Sequence, residues 1–262
     1  MTSLDLSWHS VHRMMDATRQ RPALSAVWSL RLSVFSGALA IAGIALHRLL
    51  SLPTPILLNV LKAAFAGGGL ALLLALIAIA RIWFVGRPGA GAAFVGLTTS
   101  LALFAWPAYY LPTIRELPPI NDVTTDLHAP PPMSALSRLR GPGANSVEYP
   151  GEQFAEMQAV AYPDLQPFLV PRPAEEAFEI AAEAVRRLKY QVVSETPPGE
   201  GFEKPGYIEA VDRTLVIGFY DDVVIRVMGD SESSQIDVRS ASRYGQHDLG
   251  QNAIRIRTIF AE

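Results

Sequence analysis

The sequence predicts an α+β protein in two parts: an N-terminal transmembrane region of three helices, then a soluble domain with an antiparallel sheet and two packed helices. Three observations predict it. Three long apolar segments, uncharged away from their ends, lie within the first 114 residues. The charges divide with them: residues 1–114 hold eight Lys and Arg against two acidic residues, and residues 115–262 hold fourteen against twenty-three. Beyond Gln166, period-two runs follow one helical-period segment and precede another.

Composition bounds the rest. Half of the 262 residues are hydrophobic, and mean hydropathy is +0.22, high for a wholly soluble protein. The acidic C-terminal part excludes nucleic acid, whose binding requires Lys and Arg against phosphates. The chain has no cysteine, which excludes disulfides, thiolate catalysis and cysteine zinc sites.

Residues 1–26 form a basic lead. Leu4, Trp8, Val11 and Met15 mark one face of a short amphipathic helix on a bilayer surface, and Arg13, Arg19, Arg21 and Arg31 stand against only Asp5 and Asp16. His9 and His12 are three apart and share that helix, with no third ligand nearby to complete a metal site.

The apolar segments are about 27–46, 56–80 and 88–114, each near the roughly 20 residues that a bilayer core needs. A signal peptide is the rival reading of the first, set against an unusually long basic region and two further spans. Arg31, Arg81 and Arg87 join the lead on one side, whereas Arg48 and Lys62 stand on the other. The positive-inside rule then places the N-terminus in the cytoplasm and the C-terminal domain outside, in the periplasm if the membrane is a bacterial inner membrane. Trp106, Tyr109 and Tyr110 suit an outer aromatic belt, and Trp83 and Phe84 an inner one. The span interiors lack the ionisable residues of an ion pathway. Ala64 with Gly68, Gly67 to Gly69, and Ala38 with Ala42 offer small faces for packing the three helices on each other or on a partner.

Residues 115–150 carry seven prolines, which argues against regular helix or central strand and for an extended strap along the domain. Thr124, Thr125 and Asp126 in it are either ligands of a site or locally bonded turn residues. The soluble domain, 151–262, begins with a short strand at Pro167–Val170. A helix follows with Pro173 in its first turn, Glu175, Glu176 and Glu179 near its start, and Arg186, Arg187 and Lys189 at its end. Strands come next at Tyr190–Ser194 and Tyr207–Val211. Thr214–Phe219 is either a strand or a packed connection. Val223, Ile225 and Val227 alternate with Asp222, Val224 and Arg226, then Ile236 and Val238 with Asp237 and Arg239. A hairpin centred on Gly229–Ser233 sets Arg226 opposite Asp237, a pair that contributes about 0.2–1 kcal/mol. Asp248 then caps a closing helix, with Gln251 as its capping-box partner. The order, strand, helix, four strands, helix, is TBP-like and puts both helices on one face of the sheet.

At these same residues the chain resembles a family of bacterial and plastid proteins grouped as domain of unknown function 1499. The resemblance rests on Asp221-Asp222-Val-Val-Ile-Arg226, on Asp237-Val-Arg239-Ser240-Ala-Ser242-Arg243, on Gly245, and on Asp248-Leu-Gly250 with Asn252, Arg255 and Ile256. An upstream echo is Ile120-Asn-Asp122-Val-Thr124-Thr125-Asp126 with Pro130 and Pro131. It covers about 118–262 and implies no assigned activity.

Three functional readings follow. In the first, the domain is a non-catalytic interaction or accessory module for a membrane or envelope complex. In the second it carries a lipid or other small apolar ligand. In the third it is a hydrolase-type enzyme built on Asp222, Arg239 and Ser242, with His247 near in sequence. No nucleophile elbow, phosphate-binding loop or paired-His metal motif is present, so no catalytic residue, cofactor or metal is assigned. The candidate site is instead a polar network bracing sheet to helix: Asp221, Asp222, Arg226, Asp237, Arg239, Ser240, Ser242, Arg243, Asp248, Asn252 and Arg255. Adjacent Asp221 and Asp222 point to opposite faces of their strand.

Overall fold

A computed structural model describes residues 21–262, so the helix expected over Leu4 to Met15 and the His9 and His12 pair lie outside the described residues. The chain divides into two compact units at Tyr109/Tyr110.

The first unit contains α1 (Leu24–Leu50), α2 (Thr54–Val85) and α3 (Ala90–Tyr109). Helices α1 and α2, and the stretch Ala90–Glu116 that contains α3, are each long and apolar enough to cross a membrane. At 1.5 Å per residue, the 27 residues of α1 reach about 40 Å, more than the hydrocarbon core of about 30 Å. Helices α1 and α2 begin and end beyond the limits expected from their apolar runs, with Ser51 in the left-handed region, Pro53 and Gly86 at φ 69° at their ends, whereas α3 lies inside its expected limits of 88–114.

Packing in this unit is inverted relative to a water-soluble core. Ser29, Ser33, Ser36, Ala40 and Gly43 of α1 are buried, as are Ala64, Gly68, Ala71, Ala75 and Ala78 of α2. Phe35, Leu73, Leu76 and Phe84 face outward. Small residues let backbones approach where lipid supplies no hydrophobic drive: a Cβ on Gly96 of α3 would stand 3.0 Å from the carbonyl carbon of Ser29. Ala64 and Gly68 thus lie in the packed face, whereas Ala38 and Ala42 are exposed on the outside of α1.

The second unit opens with α4 (Leu111–Glu116) and continues through β1 (Asp122–Thr124), a 3-10 turn (Leu136–Leu139), α5 (Glu152–Ala161), β2 (Phe168–Val170) and α6 (Ala174–Arg187). It closes with β3 (Gln191–Thr196), β4 (Gly206–Arg213), β5 (Tyr220–Gly229), β6 (Ser234–Ser242) and α7 (Gln251–Ala261). The sheet is antiparallel in the order β1-β6-β5-β4-β3, with β2 also on the outer edge of β6. Thus β1 faces Arg239–Ala241 and β2 faces Ser234–Ile236.

Both faces are covered. Val223, Ile225, Val227, Ile236 and Val238 pack with Phe178 and Val185 of α6 and Ala253, Ile256 and Ile259 of α7. The alternate residues Val211, Val224 and Ala241 pack with Met133 and Leu136 of the strap. Antiparallel sheets often leave one face to water; here the strap occupies it, so β5 is buried along nearly its whole length.

Local details depart from expectation in four places. The strap is partly regular, contributing β1 and the 3-10 turn. A helix over Glu152–Ala161 had no counterpart in the sequence reading; it packs Phe154, Met157 and Ala161 on the core. Pro173 is the residue before the first turn of α6, not within it. Gln251 forms no capping box: Leu249 and Gly250 take φ of 58° and 78°, and α7 starts at Gln251. The Asp248 carboxylate then receives the backbone N–H groups of Gly250 and Asn252, each at 2.9 Å.

Candidate functional site

Four arginines dominate the strap-side face of the sheet. Cross-strand register sets Arg226 of β5 opposite Asp237 of β6, and Nη2 of Arg226 meets Asp237 at 2.7 Å and Asp126 of the strap at 2.8 Å. Arg239 donates from Nε and Nη2 to the two oxygens of Asp122, at 3.0 and 2.7 Å. Asp222 sits between two guanidiniums, Arg243 at 2.7 Å and Arg140 of the strap at 2.8 Å. The remaining donors hold strap carbonyls: Arg226 that of Ala129, Arg239 those of Pro131 and Val147, Arg243 that of Leu139, and Arg140 those of Asn145 and Ser146. A proline-rich segment offers few backbone donors but keeps every carbonyl as an acceptor, and guanidinium forks suit that deficit.

The helix-side face carries a second cluster. Arg255 of α7 reaches Asp221 at 2.6 Å and Asp212 at 2.8 Å. Its Nη1 donates to Ser240 Oγ at 3.0 Å and Asn252 Oδ1 at 2.8 Å. Asn252, fully buried, accepts from Ser240 Oγ and donates to the carbonyl of Asn121 and to Ser242 Oγ. One side chain thereby ties α7, β6 and the entry to β1 together.

Burial and pairing set the electrostatics. Burial pushes the Asp122 carboxyl up from its ordinary value against the hydrogen bonds and charge of Arg239, and raises Asp221 against the charge of Arg255. Asp248 is raised by burial despite its two backbone donors. For Asp126, burial acts upward, but the N–H groups of Ala129 and His128 and the Arg226 guanidinium prevail and hold it below the usual range. Burial acts to lower Arg226 and Arg255, and their carboxylate partners outweigh it and raise both. The Tyr149 phenol is pushed up to about 12 by burial and by the Asp122 charge, with its ring 5.6 Å from the Arg239 guanidinium.

All eleven residues of the expected network make polar contacts, but in two sets on opposite faces. Asp222, Arg226, Asp237, Arg239 and Arg243 lie on the strap side; Asp221, Ser240, Ser242, Asn252 and Arg255 lie on the helix side; Asp248 anchors the start of α7. Asp222, Arg239 and Ser242 therefore do not converge. His247 Nδ1 accepts the backbone N–H of Leu249 at 3.0 Å, within its own loop. Sequence reasoning missed Asp122 and Arg140 as partners of this network, along with Asp212. The signal was parity: the named charges on the strap side contained more arginines than carboxylates, and the missing anions had to come from elsewhere. Two more buried groups were missed: Gln158 of α5 exchanges two hydrogen bonds with the backbone of Thr124, and Glu209 receives the N–H groups of Ala135 and Leu136 at the 3-10 turn, both at 2.9 Å.

Two shallow clefts open beside this framework. One of about 300 Å³ is lined by Ser134, Arg138, Ser194, Thr196, Tyr207 and Glu209, and one of about 270 Å³ by Asn121, Asp122, Arg140, Asn145, Glu148 and Gln246 among others. Among the described residues, no group of three or more His, Asp or Glu side chains stands close enough to hold a metal ion.

A family model described as protein of unknown function, DUF1499, matches residues 122–262, more than half of the chain. The chain belongs to the DUF1499 family. No curated protein and no solved structure matches it. The DUF1499 match begins at Asp122, the carboxylate gripped by Arg239, and takes in both polar clusters. The three apolar helices lie N-terminal to it.

Proposed function

We propose that this DUF1499 protein is a membrane-anchored component of a bacterial cell envelope whose C-terminal domain is a non-catalytic interaction module for a membrane or envelope complex. The observation that carries this reading is the internal saturation of the charged network. Arg226, Arg239, Arg243, Arg255 and Arg140 each spend their donors on acceptors of the same domain, carboxylates and backbone carbonyls in four of them and carboxylates, a hydroxyl and a side-chain amide in Arg255. Such groups hold a surface in one shape. A reacting group needs a neighbour aimed at a substrate and a base or acid poised near working pH. Both clefts are small, and polar side chains predominate among the residues that line them.

The anchor is the set of three membrane-capable helices. Arg81 near the C-terminal end of α2 and Arg87 in the loop after it support an N-terminus in the cytoplasm and a domain in the periplasm. The chain lacks cysteine, so a Ser231→Cys variant in intact spheroplasts reports the side: labelling by a membrane-impermeant thiol reagent is expected, and labelling only after lysis contradicts the orientation.

The role is tested by gentle detergent purification of the full chain with mass spectrometry of proteins and extracted lipids. A stoichiometric membrane partner is the expected result. A single enriched lipid with no protein partner would support a carrier instead, and a bare protein that turns over a substrate would support an enzyme.

A further inference from the structure

The connection Thr214–Phe219 between β4 and β5 forms no strand; Gly218 in it is buried, and Leu215 and Val216 are exposed. Leu215 is 85% exposed and Val216 50%, and with Ile217 they make three consecutive apolar residues at a hairpin tip. Exposed loop tips are ordinarily polar. This tip is also held in one shape: Thr214 N–H donates to the carbonyl of Phe219 at 2.9 Å, and Thr214 Oγ1 accepts the N–H groups of Gly218 and Phe219 at 3.2 and 2.9 Å. Arg213 at its base lies 4.6 Å over the Tyr220 ring. An ordered loop that presents Leu215 and Val216 outward beside half-buried Ile217 is built to be covered.

The sheet identifies what covers it. Arg213 pairs with Tyr220, Asp221 with Ser242 and Asp122 with Ala241, so the tip lies at the end of the sheet where the chain enters from the segment Ala90–Glu116 through Leu117–Asn121. Five residues span at most about 17 Å. The opposite end carries the other two hairpin tips, with Asp230 and Glu232 in one and Glu200 and Glu203 in the other, against Lys204 alone. From Arg213 to Phe219 there is no acidic residue, and the one charge is basic.

We propose that the Leu215-Val216-Ile217 tip inserts into the interfacial layer of an anionic lipid bilayer, as a second attachment that fixes the orientation of the domain on the membrane from which it emerges. Apolar side chains beside a cation and an aromatic ring suit the headgroup and acyl boundary, and the acidic end of the sheet then points away from anionic lipid. The inference rests on the anchoring reading above and adds a contact that a tethered domain does not need.

The absence of cysteine permits a clean test. Full-length protein with Leu215→Cys carries an environment-sensitive fluorophore and is reconstituted at high lipid-to-protein ratio into vesicles of phosphatidylcholine and phosphatidylglycerol; Ser231→Cys, at the opposite end of the sheet, is the reference. Flotation comes first, and a chain that does not float with vesicles overturns the anchoring reading itself. In floating protein the expected result is blue-shifted emission at position 215, quenched by headgroup-nitroxide lipids several-fold more than the label at 231. Equal quenching of both labels by aqueous iodide, without quenching by nitroxide lipid, overturns the insertion and leaves the anchor standing. Blue-shifted emission reached by neither quencher also overturns it, because the tip is then covered by protein.

Discussion

Arg239 and Asp122 lie 117 residues apart in sequence and meet through two hydrogen bonds of 3.0 and 2.7 Å. The pair joins β6 to β1, the strand of the strap, and the same guanidinium carries the carbonyls of Pro131 and Val147. A side chain with four acceptors on three segments fixes their relative positions.

Arg239→Ala leaves Asp122 buried without its partner and frees two strap carbonyls. Breaking a buried pair from one side costs about 3–5 kcal/mol. Thermal unfolding of the full chain in detergent is expected to show a lower Tm for the C-terminal unit, with unaltered helical signal from the apolar helices. An unchanged Tm would contradict a bracing role.

Arg140 and Arg243 share Asp222 from opposite oxygens. Either single Ala variant leaves one guanidinium on the carboxylate, and the double variant leaves none. The double substitution is therefore expected to destabilise by more than the sum of the singles, by about 0.5–3 kcal/mol of coupling. Simple additivity in denaturant unfolding would show that the two arginines act independently.

Asp126 supplies a pH dependence of definite sign. Its carboxyl is held below the ordinary value of 3.8, so the folded state keeps its charge where the unfolded chain has taken up a proton. The resulting stability is present above 3.8 and is lost as pH falls through the lower folded value. Relative to wild type, Asp126→Asn is expected to have a lower Tm at neutral pH and a smaller further loss in acid. Parallel pH curves for the two proteins would contradict this.

Gly96 faces Ser29 where α3 meets α1, and a Cβ there would stand 3.0 Å from the Ser29 carbonyl carbon. Gly96→Val is expected to separate the helices, at about 1–3 kcal/mol for an overpacked contact. Detergent-dependent melting of the helical signal reads it. Wild-type melting would mean that the helices have slack at this crossing.

The two helices, the four main strands and the register that pairs Arg226 with Asp237 were legible because alternation and turn chemistry are local. So was the opposite direction of Asp221 and Asp222, a geometric consequence of any strand. The rest was not, because it depends on distant partners. Nothing local says that Asp122 belongs to Arg239, that the strap shields the second face, or that Gln158 satisfies the backbone of Thr124 from a short, weakly patterned helix. Thr214–Phe219 reads as a strand or a packed connection because it is apolar, and only the hairpin geometry turns Leu215 and Val216 outward.

Buried arginines make the proline-rich strap an integral layer of the domain. Hydrogen exchange over residues 124–136 of the full chain measures this most directly, since the N–H groups of Thr124, Thr125, Ala135 and Leu136 are all bonded within the domain. Protection comparable to that of β5, lost selectively in Arg239→Ala, is the expected result. Exchange of the wild-type strap at the rate of a free linker, with β5 still protected, would contradict the account.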